Sequence, residues 1–231
     1  MSKKWSFLLK LAIVIAIGLI GAYKTLDLET NKNDDSTAAV QHIDTAAGQV
    51  LGTLAIKGRA PKTGYERDLF GSGWLTVGDC DTRNYILARD LTDETLISPS
   101  CKVASGTLQD PYTGKTIQFS RGAETSADVQ IDHVVALSDA WQKGAQQLTQ
   151  AQREALANDP LELLAVDGDA NQKKGDGDAA TWLPPNKAYR CEYVARQIAV
   201  KKKYSLWVTR SEYDAMANIL KDCPNQKLPS S

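Results

Sequence analysis

Apolar positions along this chain form several short runs with the length and composition of β-strands. Residues 103–108 and 116–119 flank a turn-rich stretch, which predicts a β-hairpin. Residues 131–137 and 163–166 are two further apolar runs of strand length. Helical segments lie among these strands without a regular βαβ alternation. The pattern therefore predicts an α+β fold.

Helix-start signals locate the helical segments. Thr149 with Gln152, and Thr209 with Glu212, have the spacing of capping boxes, in which two side chains satisfy the first free backbone N–H groups. Gly175 follows a short polar segment as a stop signal. Together these signals predict helices at residues 82–88, 138–143, 149–158, 169–174, 187–204, and from 209 to just before Pro224.

The first 24 residues have the pattern of an export signal. Lys3 and Lys4 precede a mostly apolar stretch at residues 5–23, whose uninterrupted part has signal-peptide length and is short for a membrane span. Cleavage would release the protein, whereas retention would anchor it on the outer face of the cytoplasmic membrane. Residues 25–59 are polar and predict a flexible tether, with a short helix near Val40–Leu54. We expect one folded domain at residues 60–226 and a disordered tail at 227–231.

Four cysteines agree with export, because an even count in an oxidising compartment indicates disulfides. Three pairings are open. Cys80–Cys101 and Cys191–Cys223 close the shortest loops and lie within units predicted to be local, so we favour this pairing. A zinc site with four cysteine ligands would require closely spaced Cys-x-x-Cys pairs, and the sequence has none.

The overall charge of −1 hides an uneven distribution. Residues 1–24 hold four lysines and no acid, so the remainder is net acidic. Attraction of a polyanion by the whole domain is therefore excluded, and any nucleic-acid contact must be local. Residues 187–203 hold six basic side chains and one acid, Glu192. This segment is a candidate backbone-binding surface, with a solvated helix face as the alternative.

Residues 130–176 hold the densest set of reactive side chains. Asp132 and His133 lie within the first apolar run, and Asn171 and Lys174 follow the second. A carboxylate, a base that is neutral near pH 7, an amide oxygen and an ammonium group together suit phosphodiester hydrolysis with one divalent ion. A histidine within an apolar run is also a common core residue, so the pattern alone leaves both interpretations open.

An ordered set of short motifs resembles the HNH (ββα-metal) nuclease superfamily. Within it, the chain is similar to small secreted proteins related to the C-terminal domain of GmrSD-type restriction enzymes. The resemblance extends from about residue 70 to 224. It is carried by Cys80-Asp81-Thr82-Arg83-Asn84, Asp90-Leu91, Cys101-Lys102-Val103, Ile131-Asp132-His133-Val134-Val135-Ala136-Leu137, Ala140-Trp141, Gly144-Ala145, Asn171 with Lys174-Gly175-Asp176, and Trp182-Leu183-Pro184-Pro185-Asn186.

The resemblance implies a ββα-metal core with an added hairpin and C-terminal helices. It implies that Asp132 and Asn171 bind a divalent metal, Mg²⁺ with Mn²⁺ or Ca²⁺ as alternatives, and that His133 is the general base. Lys174 then stabilises the transition state or clamps a phosphate. Glu162 departs from the Asn usual near the start of the second strand, which puts the loop geometry in question. Residues 132 and 133 point to opposite faces of a regular strand, so serving one site requires a bend.

These features predict an exported, metal-dependent endonuclease acting on DNA, or on RNA, with low sequence specificity. The candidate nucleic-acid contacts are Arg83, Lys187, Arg190, Lys201, Lys202 and Lys203. Two other functions stay open from the sequence. One is a surface or secreted binding protein on a decayed nuclease fold. The other is a phosphodiesterase acting on a small substrate.

Overall fold

A computed structural model describes residues 45–229, which form seven α-helices and seven β-strands. The helices are α1 (Ala46–Leu51), α2 (Thr82–Asp90), α3 (Leu137–Gln142), α4 (Gln150–Ala157), α5 (Gly168–Lys174), α6 (Arg190–Lys203) and α7 (Arg210–Lys221). The strands are β1 (Thr76–Val77), β2 (Cys80–Asp81), β3 (Leu91–Leu96), β4 (Val103–Gln109), β5 (Thr116–Ser120), β6 (Val129–His133) and β7 (Leu163–Asp167). This mixture confirms the predicted α+β class.

Antiparallel pairing organises the strands into three small sheets. The largest has the order β3–β4–β5 and contains the predicted hairpin. Strands β6 and β7 form a second ladder, in which Val129 lies opposite Asp167 and His133 opposite Leu163 without a register shift. Helix α5 follows β7 directly. The chain thus forms a strand–strand–helix unit from β6, β7 and α5.

The β6–β7 ladder lies between two buried clusters. One face supplies Val129, Ile131, Leu163 and Ala165 to a smaller cluster with α2 and the β3–β5 sheet. The other face supplies Leu164 and Val166 to a larger cluster with α6 and α7. Since side chains alternate along a strand, His133 lies on the face of Ile131, and Asp132 lies on the face of Leu164. The two residues therefore point to opposite sides of the β6–β7 ladder.

The junction between β7 and α5 depends on a glycine. A Cβ at Gly168 would collide with the carbonyl oxygen of Ala127, so only glycine fits this close approach. The side chain of Asp167 accepts the backbone N–H of Ala170 and caps α5. Both predicted capping boxes, at α4 and α7, are also present. Local chemistry thus sets where these helices begin.

The folded unit extends beyond the predicted domain boundaries. Helix α1 lies in the predicted tether, yet Ala47 and Leu51 are fully buried in the larger cluster, so the domain begins before residue 60. Leu228 packs against the same cluster, within the predicted tail. The predicted signal segment, residues 1–24, lies outside the described residues. Within residues 45–229, no helix combines the length and the hydropathy needed to cross a membrane.

Two disulfides close the pairs favoured from the sequence. Cys80 is bonded to Cys101, with Cα atoms 5.7 Å apart, and Cys191 to Cys223, with Cα atoms 5.9 Å apart. The first connects β2 to the loop before β4, and the second connects the first turn of α6 to the end of α7. No cysteine is free among residues 45–229.

A buried network of charges joins α3, α6 and α7. Its members are three cations and three carboxylates: Arg59, Asp139, Lys143, Asp178, Lys201 and Glu212. The Lys143 ammonium lies 2.8 Å from Asp139, 2.7 Å from Asp178 and 2.6 Å from Glu212. Each charge has a partner of opposite sign in the network, so removing one member would leave a buried charge uncompensated.

Candidate active site

His133 ends strand β6 and lines a cavity of about 250 Å³. Its ring stacks on Trp74, with ring centroids 5.7 Å apart and planes inclined by 8°. Nε2 lies 3.0 Å from the carbonyl oxygen of Ala157, the last residue of α4. Because a carbonyl only accepts, Nε2 carries the proton and Nδ1 carries the lone pair. Nδ1 has no hydrogen-bond partner among the described residues.

The imidazole of His133 is neutral at pH 7. Burial is the largest of the effects that together lower its pKa from 6.5 to about 3, and the positive charge of Arg67 acts in the same direction. The Ala157 carbonyl opposes these effects, because it favours the protonated ring. Arg67 lines the same cavity. The site therefore combines an unprotonated ring nitrogen of fixed tautomer with a nearby guanidinium group.

Asp132 lies on the other face of the β6–β7 ladder, in a polar contact with α5. The Lys174 ammonium is 2.9 Å from Asp132 Oδ1 and donates a second hydrogen bond, of 2.7 Å, to the main-chain oxygen of His133. The hydroxyl of Tyr112 donates to Asp132 Oδ2. Burial raises the pKa of the Asp132 carboxyl, and the Lys174 ammonium opposes that shift. Both carboxylate oxygens are therefore occupied by protein donors.

Asn171 lies one turn before Lys174 on α5 and donates a 2.9 Å hydrogen bond to Gln130 Oε1. Helix α5 thus pairs with β6 at two points, Asn171 with Gln130 and Lys174 with Asp132. Residues 45–229 contain no group of three or more His, Cys, Asp or Glu side chains placed to hold a metal. With an ammonium already on Asp132, the predicted pair of ligands does not fit a divalent ion in this arrangement.

The structure does not bring the predicted catalytic residues into one site. The β6–β7 ladder is regular, so the bend that would place Asp132 and His133 together is absent from β6. Lys174 provides the link between them, through the Asp132 carboxylate and the His133 carbonyl. Its ammonium is buried and does not reach an exposed phosphate, in contrast to the predicted role.

Glu162 supports the loop that leads out of β6. Its side chain is fully buried, and its two carboxyl oxygens lie 3.2 and 3.1 Å from the backbone nitrogen of Val135. Its main-chain oxygen accepts the N–H of Val134 at 2.9 Å. Burial raises the pKa of Glu162 well above its ordinary value. A buried carboxyl thus holds the loop where the resemblance led us to expect an amide.

The predicted nucleic-acid surface is smaller than its sequence suggests. Lys201 is fully buried and paired with Glu212 at 2.9 Å, so it is not available for nucleic acid. Lys203 is paired with Asp159 at 2.7 Å. The remaining predicted contacts differ in their surroundings. Arg83 donates to the main-chain oxygens of Ser126 and Val129, Arg190 donates to that of Pro184, and Lys187 and Lys202 are exposed.

Three side chains that line the cavity of His133 or contact Asp132 were not predicted from the sequence. Arg67 and Trp74 belong to a glycine-containing segment before β1. Tyr112 belongs to the turn between β4 and β5. All three are separated from the β6 residues they face by 20 residues or more, so no local spacing connects them. For Tyr112, one signal was available, because an aromatic residue is unusual within a predicted turn.

Comparison with known proteins places this arrangement in a family. A secreted protein of Arthroderma benhamiae, named "Uncharacterized secreted protein", is 39% identical over 182 residues, covering 78% of this chain and 85% of that protein. No solved structure matches the chain. Residues 81–219 match the family described as GmrSD restriction endonucleases, C-terminal domain. Because this match covers more than half of the residues of the chain, the chain belongs to the family of GmrSD restriction endonuclease C-terminal domains.

Proposed function

We propose that this protein is an exported endonuclease that hydrolyses phosphodiester bonds in nucleic acid. The family is named for restriction endonucleases, which supports the reaction class. The relative from Arthroderma benhamiae is named as secreted, which supports export. The two disulfides agree with an oxidising compartment.

The observation that carries the proposal is the neutral, oriented imidazole of His133 beside Arg67. With Nε2 held by the Ala157 carbonyl, Nδ1 accepts a proton from a water molecule in the cavity. That water oxygen forms a bond to phosphorus, and the bond from phosphorus to the leaving oxygen breaks. The guanidinium of Arg67 binds the non-bridging oxygens, on which negative charge increases in the transition state. The predicted requirement for Mg²⁺ stays a prediction.

Plasmid digestion tests the proposal, in Mg²⁺, Mn²⁺ and chelator. We expect His133→Ala to slow cleavage by about 10²-fold or more, the usual contribution of a general base. Arg67→Ala should slow cleavage by about 10- to 100-fold through lost transition-state binding. Arg210→Ala is the matched control, because Arg210 lies on α7, outside this cavity, and should cleave at the wild-type rate. Cleavage by folded His133→Ala at the wild-type rate would exclude His133 as the base.

The small cavity favours a second candidate, a phosphodiesterase acting on a small substrate. Its volume of about 250 Å³ is below that of typical ligand pockets, about 300–1,000 Å³, and suits one phosphodiester group with little else. Parallel assays with a linear DNA duplex and a chromogenic phosphodiester distinguish the two. Faster turnover of the chromogenic compound would favour the small substrate. Binding of DNA without cleavage under every metal condition would favour a decayed, binding-only protein.

A further inference from the structure

The carboxylate predicted to bind a metal already holds a buried cation. The Lys174 ammonium lies 2.9 Å from Asp132 Oδ1, and the exposed fractions of the two side chains are 0% and 6%. The same ammonium is 2.7 Å from the main-chain oxygen of His133, and Tyr112 occupies Asp132 Oδ2. Removing either partner of such a pair would leave an uncompensated buried charge. The charge of the Asp132 carboxylate is therefore balanced by Lys174 without an added metal ion.

A divalent ion cannot simply be added to this arrangement. A metal about 2.1 Å from Oδ1 would lie within roughly 5 Å of the Lys174 ammonium. Two cations at that separation, shielded from water, repel each other strongly. We propose that Lys174 is the resident cation of this site, and that a divalent ion binds Asp132 only in exchange for its ammonium group. Lys174 is thus a built-in competitor of metal binding.

Removal of the ammonium would leave oxygen atoms converging on one point. Asp132 Oδ1 and the His133 carbonyl both face the position of the Lys174 nitrogen. Asn171 lies one turn earlier on the same side of α5, and among the described residues its Oδ1 has no hydrogen-bond partner. Carboxylate, main-chain and amide oxygens are the ligands that Mg²⁺, Mn²⁺ and Ca²⁺ prefer. The vacated space has the chemistry of a hard-cation site.

Direct measurement of Mn²⁺ binding tests the exchange, with free Mn²⁺ followed by electron paramagnetic resonance at pH 8. The wild type should bind weakly, with a Kd in the millimolar range. Lys174→Met should bind Mn²⁺ at least tenfold more tightly, and the double variant Lys174→Met/Asp132→Asn should lose that gain. Lys173→Met is the matched control, because Lys173 is the exposed neighbour on the same helix and should leave the affinity unchanged.

Lys174→Gln is the second variant, because glutamine keeps hydrogen-bonding capacity without the charge and is more easily accommodated than methionine. Circular dichroism in chelator establishes which variants are folded. Equal or weaker Mn²⁺ affinity in either folded variant would overturn the proposal. The wild type decides the question independently: a micromolar Kd that Asp132→Asn abolishes would show that Lys174 does not exclude the ion. Binding is measured directly, so the outcome does not depend on whether the protein cleaves nucleic acid.

Discussion

Acid should destabilise this protein through His133 in a way that can be measured. The imidazole has a pKa of about 3 in the folded protein, against 6.5 for an ordinary histidine. Below pH 6.5 the unfolded chain therefore binds a proton that the folded protein does not. Because the folded pKa is depressed, the stabilisation is complete above pH 6.5 and decreases as the pH falls towards 3.

The pKa difference gives the size of this effect. Between pH 7.5 and 4.5, linkage through His133 should remove about 3 kcal/mol of unfolding free energy. With a denaturant slope of about 2 kcal/mol per M, the midpoint of urea unfolding should fall by about 1.5 M from this cause. His133→Gln is the comparison, because glutamine does not titrate and keeps an N–H donor for the Ala157 carbonyl.

Urea unfolding of both proteins at a series of pH values provides the measurement. All other groups titrate alike in the two proteins, so the difference between their pH profiles isolates His133. We expect the wild type to lose about 3 kcal/mol more than His133→Gln over this interval. Parallel profiles would refute the reasoning, because they would show that the folded protein protonates the imidazole as readily as the unfolded chain does.

Three further predictions concern buried groups. Wild type should lose stability relative to Glu162→Gln as the pH rises above 4.5, because the folded pKa of Glu162 is raised; matching urea profiles would contradict this. Lys143→Met should lower the unfolding free energy by about 3–5 kcal/mol in urea unfolding, because it leaves buried carboxylates uncompensated. The control Lys221→Met, at an exposed position, should have little effect, and equal losses in the two variants would be evidence against the network. Replacing Cys191 and Cys223 by Ser should cost about 3–4 kcal/mol in urea unfolding, and a loss below about 1 kcal/mol would show that the crosslink matters little.

Elements with local signals could be predicted from the sequence. The capping boxes at Thr149 and Thr209 mark α4 and α7, because the hydrogen bonds involve residues three positions apart. The β4–β5 hairpin was predictable from its turn for the same reason. Strand β3 was missed, because only Leu91 among its residues is buried and the others have no apolar alternation. Its pairing with β4 fixes it instead.

The candidate site depends on contacts that sequence spacing does not encode. His133 was predictable as a base from its neighbours, whereas Arg67 and Trp74 reach it only through the fold. Lys201 is a different case, because its burial could be predicted from helical periodicity. It lies three positions after Ile198 and seven after Val194, which places it on the buried stripe of α6. The carboxylates that pair with Lys201 belong to other helices and are distant in sequence. Its charge was therefore interpreted as a sign of surface exposure.

The hydrogen bond from His133 to Ala157 has a consequence for how this site tolerates mutation. The acceptor is a main-chain carbonyl at the end of a helix, and no amino-acid substitution removes it. An alanine scan would not detect this acceptor, because position 157 is already alanine and the carbonyl belongs to the main chain. A one-residue insertion or deletion within α4 would rotate the terminal carbonyls by about 100° and turn the acceptor away. Selection on this contact acts on the length of the segment, so related sequences should conserve the number of residues between His133 and its acceptor.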